Sequence, residues 1–172
     1  MRMFYAWAMP DKCTFNIKPI KEFILKEIVR HKRILIPFAG WTRFHKPGIT
    51  YIDIESNRPK PYIQGDCLEI LGKIKQKYDL IILDPPFTYF QAVRTYHNKK
   101  LQEISIIKNL CDRLLKPRGV IIHCGYNTTG MGKKRGYKKT DLLIVNTGGS
   151  HNDFLILKER KIQTKLMEWQ KQ

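Results

Sequence analysis

The sequence predicts one α/β layered domain with a mostly parallel sheet whose last strand turns back antiparallel. Three observations carry this expectation: short, wholly apolar runs, amphipathic segments alternating with them, and a Gly-Gly turn between the last two runs. Strands buried on both faces of a parallel sheet read as continuous apolar runs, whereas their crossover helices show apolar residues at helical spacing.

The first apolar periodicity at helical spacing is Ile20, Phe23, Ile24 and Ile28, which predicts a helix from about Pro19 to His31. Proline suits its first turn, where a backbone N–H is not needed. Ile34-Leu35-Ile36 is a strand ending at Pro37-Phe38-Ala39-Gly40, and Ile49 to Ile54 is a second. Tyr62-Ile63-Gln64 leads through Gly65-Asp66 to a helix carrying Leu68, Ile70, Leu71 and Ile74. Asp79 to Asp84 is the clearest strand, and it stops at two prolines. A helix through Ile104, Ile107, Leu110, Leu114 and Leu115 ends at Pro117, before Gly119 to Ile122 resumes as strand. Leu142 to Val145 and Phe154 to Leu157, separated by Gly148-Gly149 and Asn152-Asp153, predict the closing hairpin. The tail from Arg160, with Met167 and Trp169, reads as a short helix or a frayed end.

At 172 residues the chain suits a single domain, with a core from about 15 to 158 and terminal extensions over 1–14 and 160–172. The apolar runs fall far short of the roughly 20 residues that cross a bilayer, and Asp11 and Lys12 interrupt the apolar start, so the expected location is cytoplasmic. Four cysteines without a C-x-x-C pair, and five histidines without ligand spacing to them, predict buried thiols and no metal. Lys and Arg number 32 against 15 Asp and Glu, a formal net charge of +17. Such a field draws polyanions, because neutralised phosphates release condensed counterions.

Ligands of an open α/β sheet bind beyond the carboxyl ends of the strands. Four successive strand ends offer suitable groups: Phe38-Ala39-Gly40, Asp53, Asp66 and Asp84. Small residues at Ala39 and Gly40 admit a ligand close to the backbone, an acid at Asp53 can accept from both hydroxyls of a ribose, and one at Asp66 from a purine amine. Glu55 competes with Asp53 for the ribose, Asp66 could serve only as a helix cap, and Phe38 could serve only the core. Neither a Walker loop nor G-x-G-x-x-G is present, so the pocket described is for a nucleoside.

At these residues the chain resembles the DNA and RNA amino-methyltransferases, over roughly Phe15 to Lys158. The resemblance implies a Rossmann-like sheet of seven strands and S-adenosylmethionine as cofactor. It implies that Phe15 and Ile17, within Phe15-Asn16-Ile17-Lys18-Pro19-Ile20, hold the methionine end of the cofactor. It further implies that Pro37, Phe38, Ala39 and Gly40 wrap its core, Asp53 holds the ribose, Asp66 reads the adenine, and Ile54, Cys67 and Asp84 belong to the cofactor site. Asp84-Pro85-Pro86-Phe87 matches the catalytic tetrapeptide, in which the acid and a proline carbonyl accept hydrogen bonds from the target amine while the aromatic stacks on the base. The loop departs from the family's Asp-Pro-Phe-x-Gly-x-Gly at Ile36 and Thr42, and His151-Asn152-Asp153 is turn chemistry before it is a site.

The expected function is DNA adenine-N6 methylation, with RNA methylation at adenine N6 or guanine N2 next and a non-catalytic nucleic-acid-binding subunit after it. Methylation of a protein glutamine would want Asn at position 84. No recognition domain of ordinary size is present. Target reading then falls to Thr88–Lys100, with Tyr89, Arg94 and Tyr96, to Thr128–Lys139, with Lys133, Lys134 and Arg135, or to a protein partner or second copy.

Overall fold

Strand β5 (Tyr78–Leu83) shows how this sequence builds its layers. Successive strand residues point to opposite faces, so Leu80 and Ile82 enter one apolar cluster while Ile81 and Leu83 enter the other. Both faces are covered, which is why the run is apolar throughout.

The computed structural model describes residues 1–86, 104–132, 135–149 and 152–162. Strand β1 (Arg2–Trp7) is followed by a 3-10 turn (Thr14–Asn16), α1 (Lys18–Ile28), β2 (Ile34–Ile36), β3 (Ile49–Asp53), β4 (Ile63–Gln64) and α2 (Cys67–Lys73). After β5 come α3 (Ile104–Leu114), β6 (Leu115–Gly125), β7 (Tyr137–Asn146) and β8 (Phe154–Lys161). The sheet has eight strands in the order β1-β7-β8-β6-β5-β2-β3-β4. Strand β8 runs antiparallel to both β6 and β7, and every other pairing is parallel. Strand order reverses between β2 and β5, so the ligand crevice expected of such a sheet lies beyond Ile36 and Leu83.

Helix α1 lays Ile20, Ile24 and Ile28 on one face of the sheet, against Ile34, Ile36, Leu80, Ile82 and Ile122. Helices α2 and α3 cover the other face with Leu71, Ile107, Cys111 and Leu114 against Leu35, Ile52, Ile81 and Ile121. Each of the Leu and Ile side chains among them contributes about 1.5–3 kcal/mol by leaving water. Cys67, Cys111 and Cys124 are buried thiols and Cys13 is half-buried. Among the described residues no helix is long and apolar enough to cross a membrane.

Among the described residues the predicted elements form, and four details differ. The eighth strand is β1, inside the segment expected to be an N-terminal extension; it adds to the edge of β7 in parallel register, Arg2 opposite Asp141 and Trp7 opposite Asn146. Pro117 does not separate helix from strand: β6 begins at Leu115, opposite Tyr78, and the pairing shifts register before Leu80. Arg118 there takes a φ of 62°, a left-handed turn inside the strand. Strand β7 begins at Tyr137, within the stretch read as a basic loop, and β8 runs to Lys161, past the predicted start of the tail. The start of β7 was hidden because Lys138 and Lys139 are exposed, and the end of β8 because its lysines are buried in ion pairs. Lys158 Nζ lies 2.8 Å from Glu27 Oε1 and 3.1 Å from Asp141 Oδ2, and Lys161 Nζ lies 2.9 Å from Asp112 Oδ1. The part of the tail with Met167 and Trp169, read as a short helix or a frayed end, lies outside the described residues.

Candidate functional site

The chain leaves β2 at Pro37 and turns sharply at Gly40, whose φ of 53° is left-handed and whose Cα faces open space where a side chain would project. Ala39 is buried and donates its N–H to the Ile52 carbonyl at 3.0 Å. The Gly40 N–H reaches Oδ2 of Asp53 at 2.7 Å, tying the ends of β2 and β3 together. Pro37 is buried, and Phe38 is half-buried against the cluster under α2 and α3.

Asp53 is only 3% exposed. Its Oδ1 accepts from the Glu55 N–H at 3.0 Å and from Arg58 Nε at 3.3 Å. Arg58 in turn lies 4.9 Å from the ring centre of Trp41, so a cation covers the carboxylate that sequence assigned to a ribose. Ile54 and Glu55 follow half-buried. Asp66 caps α2: its Oδ1 accepts from the N–H groups of Leu68 at 2.8 Å and Glu69 at 3.3 Å. The cap that the sequence offered for Asp66 therefore forms. Cys67 beside it is buried, and desolvation raises its thiol pKa.

Phe15 and Ile17 are core residues, 3% exposed each, and the Phe15 ring lies 6.0 Å from that of Phe44. Their role in this fold is to seat the 3-10 turn at the mouth of the crevice. The turn brings the Thr14 hydroxyl to Asp84, an interaction that favours the carboxylate anion. Burial works harder in the other direction and pushes the Asp84 pKa up to about 7. Oδ1 of Asp84 is buried with no hydrogen-bond partner among the described residues. Pro85 and Pro86 follow it half-buried, and neither has an N–H that could satisfy the acid. A buried acceptor left open in this way costs about 1–3 kcal/mol. The feature has a natural use, since a substrate N–H would satisfy it.

Sequence reasoning missed Thr14, Arg43 and Arg58. Arg43 Nη1 donates to the carbonyls of Gly40 at 3.0 Å and Thr42 at 2.8 Å, while its guanidinium lies 4.6 Å from the Tyr51 ring centre. Its Nε and Nη2 are buried without a partner among the described residues, and burial lowers its pKa. In a chain with 32 basic residues, no local signal separates these arginines from surface ones.

A cavity of about 630 Å³ opens beside this crevice, lined by Tyr126, Asn146, Asn152, Asp153 and Leu155. Tyr126 directly follows β6, whose His123 pairs with Leu83 at the end of β5. Asn152 and Asp153 belong to the turn in which Asp153 Oδ1 accepts from the Thr147 N–H at 3.3 Å. Arg135, predicted to meet nucleic acid, donates to Asn109 Oδ1 at 3.0 Å and to the Met131 carbonyl at 2.7 Å, which bolts its loop to α3. Phe87, Tyr89, Arg94, Tyr96, Lys133 and Lys134 lie outside the described residues. Among the described residues no group of His, Cys, Asp and Glu could hold a metal ion.

Among solved structures, the chain resembles precorrin-6y C5,15-methyltransferase from Geobacter metallireducens GS-15, with a TM-score of 0.62 and 14% identity over 90% of this chain and 94% of that one. The fold is that of the methyltransferases. A second structure with this methyltransferase fold is Burkholderia thailandensis 1,6-didemethyltoxoflavin-N1-methyltransferase with bound S-adenosylhomocysteine, TM-score 0.60 and 12% identity over 85% and 78% of the two chains. In sequence, 66 residues are 35% identical to ribosomal RNA large subunit methyltransferase K/L of Vibrio cholerae serotype O1, covering 38% of this chain. The match spans 9% of that relative's length. No family model matches the chain.

Proposed function

We propose that this chain is one S-adenosylmethionine-dependent methyltransferase unit that modifies an exocyclic amine of an RNA base. The observation that carries the reading is Asp84 Oδ1, a buried acceptor without a partner among the described residues, at the end of β5 and followed by two prolines. An exocyclic amine is a weak nucleophile because its lone pair is delocalised into the ring. Acceptors aimed at its hydrogens, here the Asp84 carboxylate and the Pro85 carbonyl, favour a more pyramidal nitrogen with an available lone pair. Phe87 is assigned to stack on the base.

The cofactor supplies an electrophilic methyl group on a sulfonium. The residues fit such a ligand in part: Gly40 leaves open space, the acids at Asp53 and Asp66 suit a nucleoside, and Arg43 presents buried donors that suit a carboxylate. Arg58 must yield at Asp53 before a ribose can bind there. Phe15, Ile17, Pro37, Phe38, Ala39, Ile54 and Cys67 shape the walls rather than donate or accept.

Sequence alone favoured DNA. The similarity to a ribosomal RNA methyltransferase supports RNA ahead of it, and the charge of +17 suits either polyanion. Incubating the protein with cofactor labelled in its methyl group, and with RNA or DNA separately, tests the assignment. Label in RNA supports the proposal. Label confined to DNA would restore the first sequence expectation, and label in neither would remove the enzymatic reading.

A further inference from the structure

Strand β1 alternates its side chains between a face turned toward α1, where Phe4 is still 42% exposed, and a more open face. Phe4 packs against Phe23 of α1 at 6.2 Å, and Ala6 joins the same cluster. The residues between them face the other way: Met3 is 48% exposed, Tyr5 71% and Trp7 64%. On a strand, Tyr5 and Trp7 stand about 6.6 Å apart, close to twice the 3.4 Å rise of stacked bases.

The open face continues into the cavity described above. Trp7 pairs with Asn146 and Tyr5 with Ile144, and residues opposite each other in a parallel pair share a face. Ile144 pairs with Leu155. Asn146 and Leu155 both line the cavity, so the two exposed rings form a shelf running from the sheet edge to its mouth. Residues 1–10 include Arg2 and no acid, in a chain of net charge +17.

We propose that Tyr5 and Trp7 form a stacking platform for single-stranded RNA flanking the target nucleotide. The inference rests on the RNA-methylation reading and adds the surface that holds the substrate strand. Aromatic faces accept any base, and the basic field attracts the phosphates, so the platform supplies affinity without a sequence code. A second copy of the chain is the competing occupant of an exposed edge strand, and two bodies of like charge +17 oppose it.

The test uses the full chain, a dye-labelled twelve-nucleotide single-stranded RNA, and the variants Tyr5→Ala, Trp7→Ala, Trp7→Phe and Trp7→Leu. Each alanine variant should weaken RNA binding about tenfold or more, with the salt dependence unchanged because no phosphate contact is lost. Trp7→Phe should retain most of the affinity, and Trp7→Leu, which keeps apolar bulk without a ring, should lose it. S-adenosylhomocysteine binding and the melting temperature should match wild type in all four, which separates loss of the platform from loss of fold. Equal RNA binding by wild type and the alanine variants, or no RNA binding by wild type, overturns the platform. So does a wild-type dimer in sedimentation that Trp7→Ala dissociates while RNA binding stands. Methyl transfer to RNA by wild type is measured alongside. If transfer persists while the alanine variants bind normally, the platform alone fails; if transfer is absent, the functional reading fails.

Discussion

Arg58 Nε stands 3.3 Å from Oδ1 of Asp53, and its side chain is almost as buried as the carboxylate it covers. With Trp41 stacked 4.9 Å away, the arginine closes the end of β3, where a nucleoside would place its ribose. On the proposed cofactor reading, a ribose hydroxyl would compete with Arg58 for this carboxylate.

Replacing Arg58 with methionine therefore has opposite effects on the empty and the loaded protein. Removing a charge-assisted bond from a buried carboxylate should lower the melting temperature of the empty protein by a few degrees. Freed from competition, Asp53 should bind S-adenosylhomocysteine about threefold to tenfold more tightly in calorimetric titration. Weaker binding by Arg58→Met would assign the arginine to holding the ligand instead of covering its site.

Asp84 should give the reaction its pH profile. The carboxylate must be ionised to accept from the amine, and burial has raised its pKa to about 7. The methyl-transfer rate at saturating substrate should rise with pH through the neutral range and level off above about 8. Asp84→Asn keeps one carbonyl acceptor but no charge, so its rate should fall about a hundredfold or more and lose that rise.

The same shift makes a prediction about stability with the opposite sign to most carboxylates. A folded-state pKa raised from 3.8 to about 7 means that the folded protein holds a proton which the unfolded chain releases across that interval. Asp84 therefore lowers stability progressively as pH climbs from about 4 to about 7. Asp84→Asn should melt several degrees above wild type at pH 8 and close to it at pH 4, as measured by circular dichroism.

Lys158 sits between Glu27 and Asp141, with Arg2 closing the group at 2.6 Å from Asp141. Lys158→Ala would leave two buried carboxylates beside each other with only the exposed Arg2 and Arg30 as cationic partners, a loss of about 3–5 kcal/mol and on the order of 10 °C in melting temperature. Burial alone would raise the Asp141 pKa, but its bonds to Arg2, Lys158 and Thr140 outweigh that and lower it. The stability it contributes is full above its unfolded pKa and fades as pH falls through the folded one. Acid melts of wild type should thus be steeper than those of Asp141→Asn.

The positions of α1, β2, β3, α2, β5 and α3 were readable because apolar period, prolines and turn residues agree there. Strand β1 was not, because Met3, Tyr5 and Trp7 remain in water on one face and Pro10-Asp11 soon follow. The start of β7 was masked by Lys138 and Lys139, which are exposed, and the end of β8 by Lys158, Glu159 and Lys161, which look exposed until their partners on other elements are known. At the site, the acids at strand ends were legible from position alone. Their hydrogen bonding was not: Asp53 meets Gly40 and Arg58, and Thr14 meets Asp84, through contacts that the chain makes only once the sheet has assembled.

The most direct measurement is nucleoside analysis by mass spectrometry of RNA treated with wild type, Asp84→Asn and no enzyme, each with S-adenosylmethionine. The account predicts a single new nucleoside carrying methyl on an exocyclic amine, formed by wild type and reduced about a hundredfold or more by Asp84→Asn. Methyl on ribose, ring carbon or ring nitrogen, or equal product from Asp84→Asn, would contradict it.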